Sequence, residues 1–172
     1  ATYNGMAQDG GAKVFVTTPA SGYTIQYRES GKNTWQSTVP TFTNAGSYSI
    51  EYVVSAEGFS QKTGTFTILI EKAIAADSVK PTVTGYEWVD NGNGYSPALD
   101  KMKDGDGSPD WHLVSAQVDY STIDGYATND KITSLPTVSA PGELRLTNFV
   151  FRDKTGNHED VTINTFSLNS KI

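Results

Sequence analysis

The sequence contains no cysteine and has only two histidines and two methionines. Without cysteine the chain can form neither disulfides nor thiolate metal sites, so each hydrophobic core has to be stable by packing alone. No apolar run approaches the roughly 18 residues that a membrane-spanning helix requires. These absences exclude a disulfide-stabilised scaffold and predict no membrane span.

Positive charge is also scarce. The 172 residues include 13 Lys and Arg against 19 Asp and Glu, which gives a net charge of −6. Residues 1–75 carry five acids and five bases, so the whole excess of acids lies in residues 76–172. A protein that binds a phosphate backbone needs a basic patch. The sequence therefore predicts that nucleic acid is not a partner.

Tyrosine and glycine are abundant, with nine and 16 residues, and their distribution is typical of short strands joined by turns. In residues 47–56, apolar and aromatic side chains alternate with polar ones, and residues 65–70 repeat the alternation. A period of two indicates strands that bury one face. The fold class predicted is therefore all-β, with further strands at residues 12–17, 23–28 and 112–120.

The shared phase of these strands predicts the core of the first half of the chain. Trp35 is interpreted as a core plug, with an exposed sugar-stacking ring as the alternative. The predicted core residues are Val14, Val16, Tyr23, Ile25, Tyr27, Trp35, Phe42, Tyr48, Ile50, Tyr52, Val54, Phe66, Ile68 and Ile70.

Residues 3–72 resemble the tandem Ig-like modules of large bacterial cell-surface and secreted proteins. The resemblance rests on Tyr3-Asn4-Gly5 and on the segments GYTIQYRESGKNTW, PTFTNAGSYSIEYVV and GTFTILIEKA. Asn4 replaces the usual Asp, and RESG replaces the family's Ser and Asp-Gly in the hairpin. The resemblance implies an Ig-like β-sandwich that serves as a spacer or adhesin-stalk module and has no active site.

The strand pattern stops at Ile70 and resumes at Val83, which predicts two tandem Ig-like β-sandwich domains, residues 1–74 and 75–172. Leu144, Leu146, Phe149 and Phe151 predict a strand whose inward phase slips near Asn148, and a β-bulge would explain the slip. The pattern FRDKTGN within residues 144–168 is similar to the last hairpin of many bacterial Ig-like domains.

Catalytic motifs are missing from the sequence. It has no thiol nucleophile, no G-x-S-x-G elbow and no phosphate-binding or dinucleotide loop. His112 is interpreted as a residue on the face of a strand and His158 as a solvated turn residue. Scattered carboxylates give no pair for glycoside hydrolysis. The sequence argues against an enzyme.

Residues 90–110 are dense in Gly, Asp, Asn and Pro, which predicts a long acidic loop in the second domain. Two interpretations stay open, a solvated loop, which is favoured, and a calcium site that also stabilises the domain. Calcium takes six to eight oxygen ligands, although the spacing here is not that of an EF-hand. The candidate ligands are Asp90, Asn91, Asn93, Asp100, Asp104, Asp106 and Asp110.

The sequence predicts two candidate functions. The leading one is a non-catalytic stalk, spacer or adhesin region of a bacterial surface or secreted protein. This function places the chain outside the cell, beside neighbouring Ig-like modules. A host protein, a cell-surface protein or a glycan would be a further partner. The alternative is a carbohydrate-binding or other ligand-binding accessory module of a secreted enzyme. For that alternative the candidate stacking rings are Trp88, Tyr95 and Trp111.

Overall fold

The computed structural model describes residues 1–81, 86–90, 95–99, 111–134, 136–138, 142–164 and 168–171, with backbone alone for residues 86–90, 95–99 and 168–171. The described residues form ten strands and no helix, and these ten strands pair with one another only in antiparallel fashion. The prediction of an all-β chain is confirmed. The chain divides into two compact units, unit 1 at Ala1–Ala73 and unit 2 at Ile74–Ile172.

Unit 1 is built on one three-stranded sheet. β1 (Tyr23–Glu29), β2 (Gly46–Ala56) and β3 (Lys62–Ile70) lie in sequence order, with β2 in the centre. The register is unbroken along both ladders, so the predicted alternation places Ile50, Ile68 and Ile70 on one buried face. The predicted strand at residues 12–17 is wrong, because this segment is irregular.

The core of unit 1 lies between that sheet face and the irregular segments that cover it. Its buried centre is Tyr27, Ile50, Ile68 and Ile70, and the partly buried residues packed around it are Tyr3, Ala12, Val14, Ile25, Val39, Phe42, Tyr48, Tyr52 and Phe66. Four predicted core residues, Val16, Tyr23, Trp35 and Val54, lie outside this cluster. Tyr23 and Val54 belong to the end of the sheet opposite Gly46 and Ile70.

In the segment PTFTNAGSY, packing explains the spacing of Phe42, Gly46 and Tyr48. The rings of Phe42 and Tyr48 stack with their centroids 3.7 Å apart, and the Tyr48 hydroxyl donates a hydrogen bond to the Asn44 carbonyl, 2.9 Å away. A Cβ at Gly46 would lie 3.2 Å from the Tyr48 ring. Glycine at position 46 therefore lets the aromatic pair close the corner that leads into β2.

Unit 2 contains a larger sheet and a two-stranded one. In the larger sheet the strand order is β10 (Leu168–Lys171), β8 (Glu143–Asp153), β6 (Trp111–Ser121) and β7 (Lys131–Ile132), and β9 (Val161–Ile163) also pairs with β8. β4 (Tyr86–Asp90) and β5 (Tyr95–Leu99) form the smaller sheet.

The prediction of a loop throughout residues 90–110 is wrong for Tyr95–Leu99, which forms β5. Pro97 and the turn-forming residues on either side of the segment are typical of a loop, so the sequence predicts one there. A proline is tolerated in this strand because a two-stranded sheet leaves one edge of each strand without a ladder partner.

β6 and β8 pair with three register shifts. Asn148 and Phe149 together oppose Ala116, since Ser115 pairs with Val150 and Gln117 with Thr147. Asn148 has φ of 51°, and Leu146 and Phe149 on either side of it are both fully buried. The predicted bulge at Asn148 is confirmed.

The other two shifts add an extra residue to β6, near Val114 and Asp119. Each extra residue reverses the face on which later side chains lie. Ala116 and Val118 are buried, but Tyr120 is 37% exposed, and at the start of the strand Trp111 is buried instead of His112.

The segment that precedes Pro81, which lies between the two stretches of strand pattern, packs in unit 2. Ala75 is 3% exposed and belongs to the core with Trp111, Leu144 and Phe151, and Val79 packs against that core. Unit 2 therefore begins at Ile74, and any fragment meant to fold as unit 2 must retain Ala75.

Candidate functional site

The ring of Trp111 is not available as an exposed stacking platform. It is 1% exposed, and its Nε1 donates a hydrogen bond of 2.7 Å to the Val79 carbonyl. Trp88 pairs with Pro97 in the β4–β5 sheet, and Tyr95 pairs with Asp90. The side chains of Trp88 and Tyr95 lie outside the described residues, so their part in ligand binding stays a prediction.

The candidate calcium ligands fall almost entirely outside the described residues. Asp90 ends β4, and only its backbone is described. Asn91, Asn93, Asp100, Asp104, Asp106 and Asp110 lie outside the described ranges. Among the side chains that the structure describes, no group of three or more His, Asp or Glu is placed to hold a metal ion. The calcium site stays a prediction.

Trp35 is neither a core plug nor an open platform. It is half-buried on the outer face of unit 1, and the Arg28 guanidinium lies 4.5 Å from its ring centroid. Arg28 Nε donates a hydrogen bond of 2.6 Å to Glu51 Oε2 across the β1–β2 ladder. Because the cation covers one face of the indole, a sugar could stack on that face only after displacing a paired guanidinium.

His158, predicted to be solvated, is largely buried with Asp153 in the turn after β8. The side chain of His158 is 13% exposed and that of Asp153 is 0% exposed, and His158 Nδ1 lies 2.9 Å from Asp153 Oδ2. Asp153 also accepts hydrogen bonds from the backbone N–H groups of Thr155, Asn157 and His158 at 2.8, 3.1 and 3.1 Å. Burial raises the pKa of Asp153, but hydrogen bonds from Thr155 and His158 outweigh it, so this pKa is below its usual value.

The hydrogen bonds around Asp153 and His158 hold the turn after β8. The hydroxyl of Thr155 donates to Asp153, 2.7 Å from Oδ2, so it is bonded to the carboxylate and not to the imidazole. A nucleophile–base pair requires the hydroxyl to donate to the imidazole. The hydrogen bonds of these residues therefore explain why FRDKTGN forms a fixed hairpin, and the Thr155 hydroxyl is paired with the carboxylate.

The feature of unit 1 with the clearest functional bearing joins its first and last residues. Residues 1–3 pair in parallel with residues 69–71, at the outer edge of β3, through a bridge between Thr2 and Glu71. The Ala1 amine donates to the Leu69 carbonyl at 3.0 Å, the Glu71 N–H to the Ala1 carbonyl at 2.7 Å, and the Tyr3 N–H to the Glu71 carbonyl at 2.9 Å. We call this contact the terminal pair.

The direction of the terminal pair determines how it would respond to tension. In a parallel pair both segments run the same way, so the start of residues 1–3 and the end of residues 69–71 lie at opposite ends of the contact. Tension between Ala1 and Ala73 therefore slides the two segments past each other and loads the three hydrogen bonds together. Sequence reasoning missed the terminal pair because residues 1–3 have no strand pattern.

Searches of family models, of curated proteins and of solved structures found no match to this chain. Among the described residues, no helix is long and apolar enough to cross a membrane.

Proposed function

We propose that the chain is a non-catalytic tandem of Ig-like β-sandwich modules from a bacterial surface or secreted protein, in which unit 1 acts as a load-bearing spacer between neighbouring modules. The terminal pair is the observation that carries this proposal. The antiparallel sheets and the motif resemblance of residues 3–72 also support it.

The load-bearing role follows from geometry and core packing together. The terminal pair holds the two ends of unit 1 to each other, and Tyr3, next to the pair, packs against the cluster that contains Ile68 and Ile70. Sliding the terminal pair would therefore also pull Tyr3 away from the core. A spacer under tension benefits from this link between the terminal pair and the core. While the three hydrogen bonds hold, Tyr3 stays packed and the apolar core stays shielded from water.

Single-molecule stretching of unit 1 between Ala1 and Ala73 tests the proposal. Tyr3→Pro removes the N–H that donates to Glu71, whereas the matched control Tyr3→Ala removes the ring and keeps the N–H. We expect the unfolding force to be lower in Tyr3→Pro than in Tyr3→Ala. Equal forces in the two variants would show that the terminal pair carries no load and would contradict the proposal.

A further inference from the structure

The bulge at Asn148 opens a polar pocket on the outer face of the unit 2 sheet, where β6, β7 and β8 meet. Gln117 lies at its centre, paired with Lys131 of β7 on one side and with Thr147 of β8 on the other. The cavity has a volume of about 290 Å³. That volume lies at the lower end of the roughly 300–1,000 Å³ usual for ligand sites, so it fits a ligand about the size of one sugar ring.

Three side-chain amides form a relay across this pocket. Asn148 Nδ2 donates a hydrogen bond of 2.7 Å to Gln117 Oε1, and Gln117 Nε2 donates one of 3.2 Å to Asn129 Oδ1. Each donating amide carries a second N–H that the relay does not use. The relay fixes the orientation of all three amides. The N–H groups that it does not use therefore point in fixed directions.

The backbone at both ends of the relay is unusual. Asn129 and Asn148, with φ of 74° and 51°, are the two non-glycine residues with positive φ among the described residues. Glycine would satisfy this conformation at lower cost. The turn at Asn129 is held by the backbone, since its N–H donates to the Val118 carbonyl at 2.8 Å. The conformation therefore does not require an amide side chain at either position, yet both amides meet at Gln117.

Lys131 adds a positive charge to the rim of the pocket. It is exposed, and within the described part of the chain it makes no ion pair, although residues 76–172 carry the whole acidic excess of the protein. The lining also includes the partly exposed apolar residue Val150. The pocket thus combines a cation, oriented amides and a small apolar surface.

We propose that this pocket binds a monosaccharide unit that carries both hydroxyl groups and a carboxylate, as the hexuronate residues of acidic glycans do. The amides donate to and accept from adjacent hydroxyls, the Lys131 ammonium and an amide N–H hold the carboxylate, and Val150 contacts the C–H face of the ring. This gives unit 2 a ligand-binding role separate from the spacer role of unit 1.

Titration of the full chain with sodium glucuronate, followed by NMR of backbone and side-chain amides, tests this proposal. We expect saturable shifts of the Gln117, Asn129 and Asn148 NH₂ signals. Glucose lacks the carboxylate and acetate lacks the ring hydroxyls, so each should bind at least about tenfold more weakly. Absence of saturable shifts with glucuronate, or equal binding of glucose, would overturn the proposal.

Two variants locate the site within unit 2. Asn148→Gly deletes one amide of the relay while favouring the backbone of the bulge, and Lys131→Gln removes the exposed charge. Each should weaken glucuronate binding about tenfold, whereas Lys32→Gln, at an exposed turn of unit 1, should leave it unchanged. Unchanged affinity in both pocket variants would place the ligand elsewhere and contradict the assignment. Because no pocket residue belongs to unit 1, this result is independent of the stretching experiment.

Discussion

β2 and β6 are both eleven residues long, and each is flanked by a strand on either side, but they differ in regularity. β2 keeps one register with β1 and β3, so its alternate residues stay on one face. β6 shifts register with β8 three times, and the buried face changes along its length. Alternation in sequence therefore identifies the buried face only while both strands of a pair advance together.

The difference also matches the two roles proposed for the units. The unbroken ladders of unit 1 end in the terminal pair, which suits a module under tension. The bulge of unit 2 displaces Asn148 and creates the pocket around Gln117, which suits ligand binding. The predictions that follow test this contrast, beginning with the largest expected effect.

The start of β6 gives the largest contrast. Trp111→Ala removes a buried indole and its hydrogen bond to Val79, and should lower the free energy of unfolding of unit 2 by about 3–5 kcal/mol. Val114→Ala, at a position that unbroken alternation would bury, should cost about 1 kcal/mol or less, since Val114 lies outside the core cluster. Urea unfolding followed by far-ultraviolet circular dichroism measures both. If Val114→Ala lowered the free energy of unfolding by more than about 1 kcal/mol, Val114 would be a core residue, and the register shift near it would be contradicted.

The regular strand should behave as its alternation predicts. Ile50→Ala truncates a side chain that is 0% exposed and should destabilise unit 1 by about 2–5 kcal/mol. Its control, Leu69→Ala, alters a residue that is 51% exposed and should cost about 0.5 kcal/mol or less. Denaturant melts compare the two, and a loss below about 0.5 kcal/mol for Ile50→Ala would refute the register of β2.

The turn after β8 should make the stability of unit 2 depend on pH. Because the folded-state pKa of Asp153 is lowered, the carboxylate stabilises the fold above its unfolded pKa of about 3.9, and this contribution is lost as pH falls through the folded pKa. Asp153→Asn should therefore cost about 2 kcal/mol at pH 7, and the difference from the wild type should shrink below about pH 4.

Urea unfolding from pH 7 to pH 2.5, in roughly half-unit steps, measures this dependence. The exposed Asp124→Asn serves as the control and should cost about 0.5 kcal/mol or less at pH 7. A difference between Asp153→Asn and the wild type that persists undiminished at the lowest pH would show that the charge of Asp153 does not hold the turn.

The smallest effect compares glycine with alanine in the two sheets. At Asn148, with φ of 51°, the glycine variant should be more stable than the alanine variant by about 1–2 kcal/mol. At Ser49 in the regular β2, the alanine variant should be more stable than the glycine variant by about 0.5–1 kcal/mol. The same order of stabilities at both positions would remove the distinction between a bulged and a regular strand.

The strands whose apolar residues leave one consistent phase could be predicted from the sequence. The bulge at Asn148 was predictable because the leucines before it and the phenylalanines after it fix two incompatible phases. The shifts near Val114 and Asp119 gave no such conflict, since Trp111 and His112 are both plausible inward residues. Trp111 was therefore assigned to the wrong environment.

The candidate functional surfaces depend on contacts between segments that are far apart in the sequence. The covering of Trp35 by Arg28 depends on the register that pairs Arg28 with Glu51. The amide pocket assembles residues 115–117, 129–131 and 148–150, which come together only when three strands are paired. The terminal pair likewise joins segments almost 70 positions apart. Patterns within a short window contain none of these contacts.

The most direct test of the spacer role is to stretch unit 1 in two directions. Handles at Ala1 and Ala73 load the terminal pair in shear, whereas handles at Gly5 and Ala73 lie beyond the same end of the parallel pair and open its hydrogen bonds one at a time. The absence of native cysteine allows each handle to be attached at a single introduced thiol. The proposed role predicts a clearly higher unfolding force for the Ala1 and Ala73 geometry. Equal forces in the two directions would contradict it.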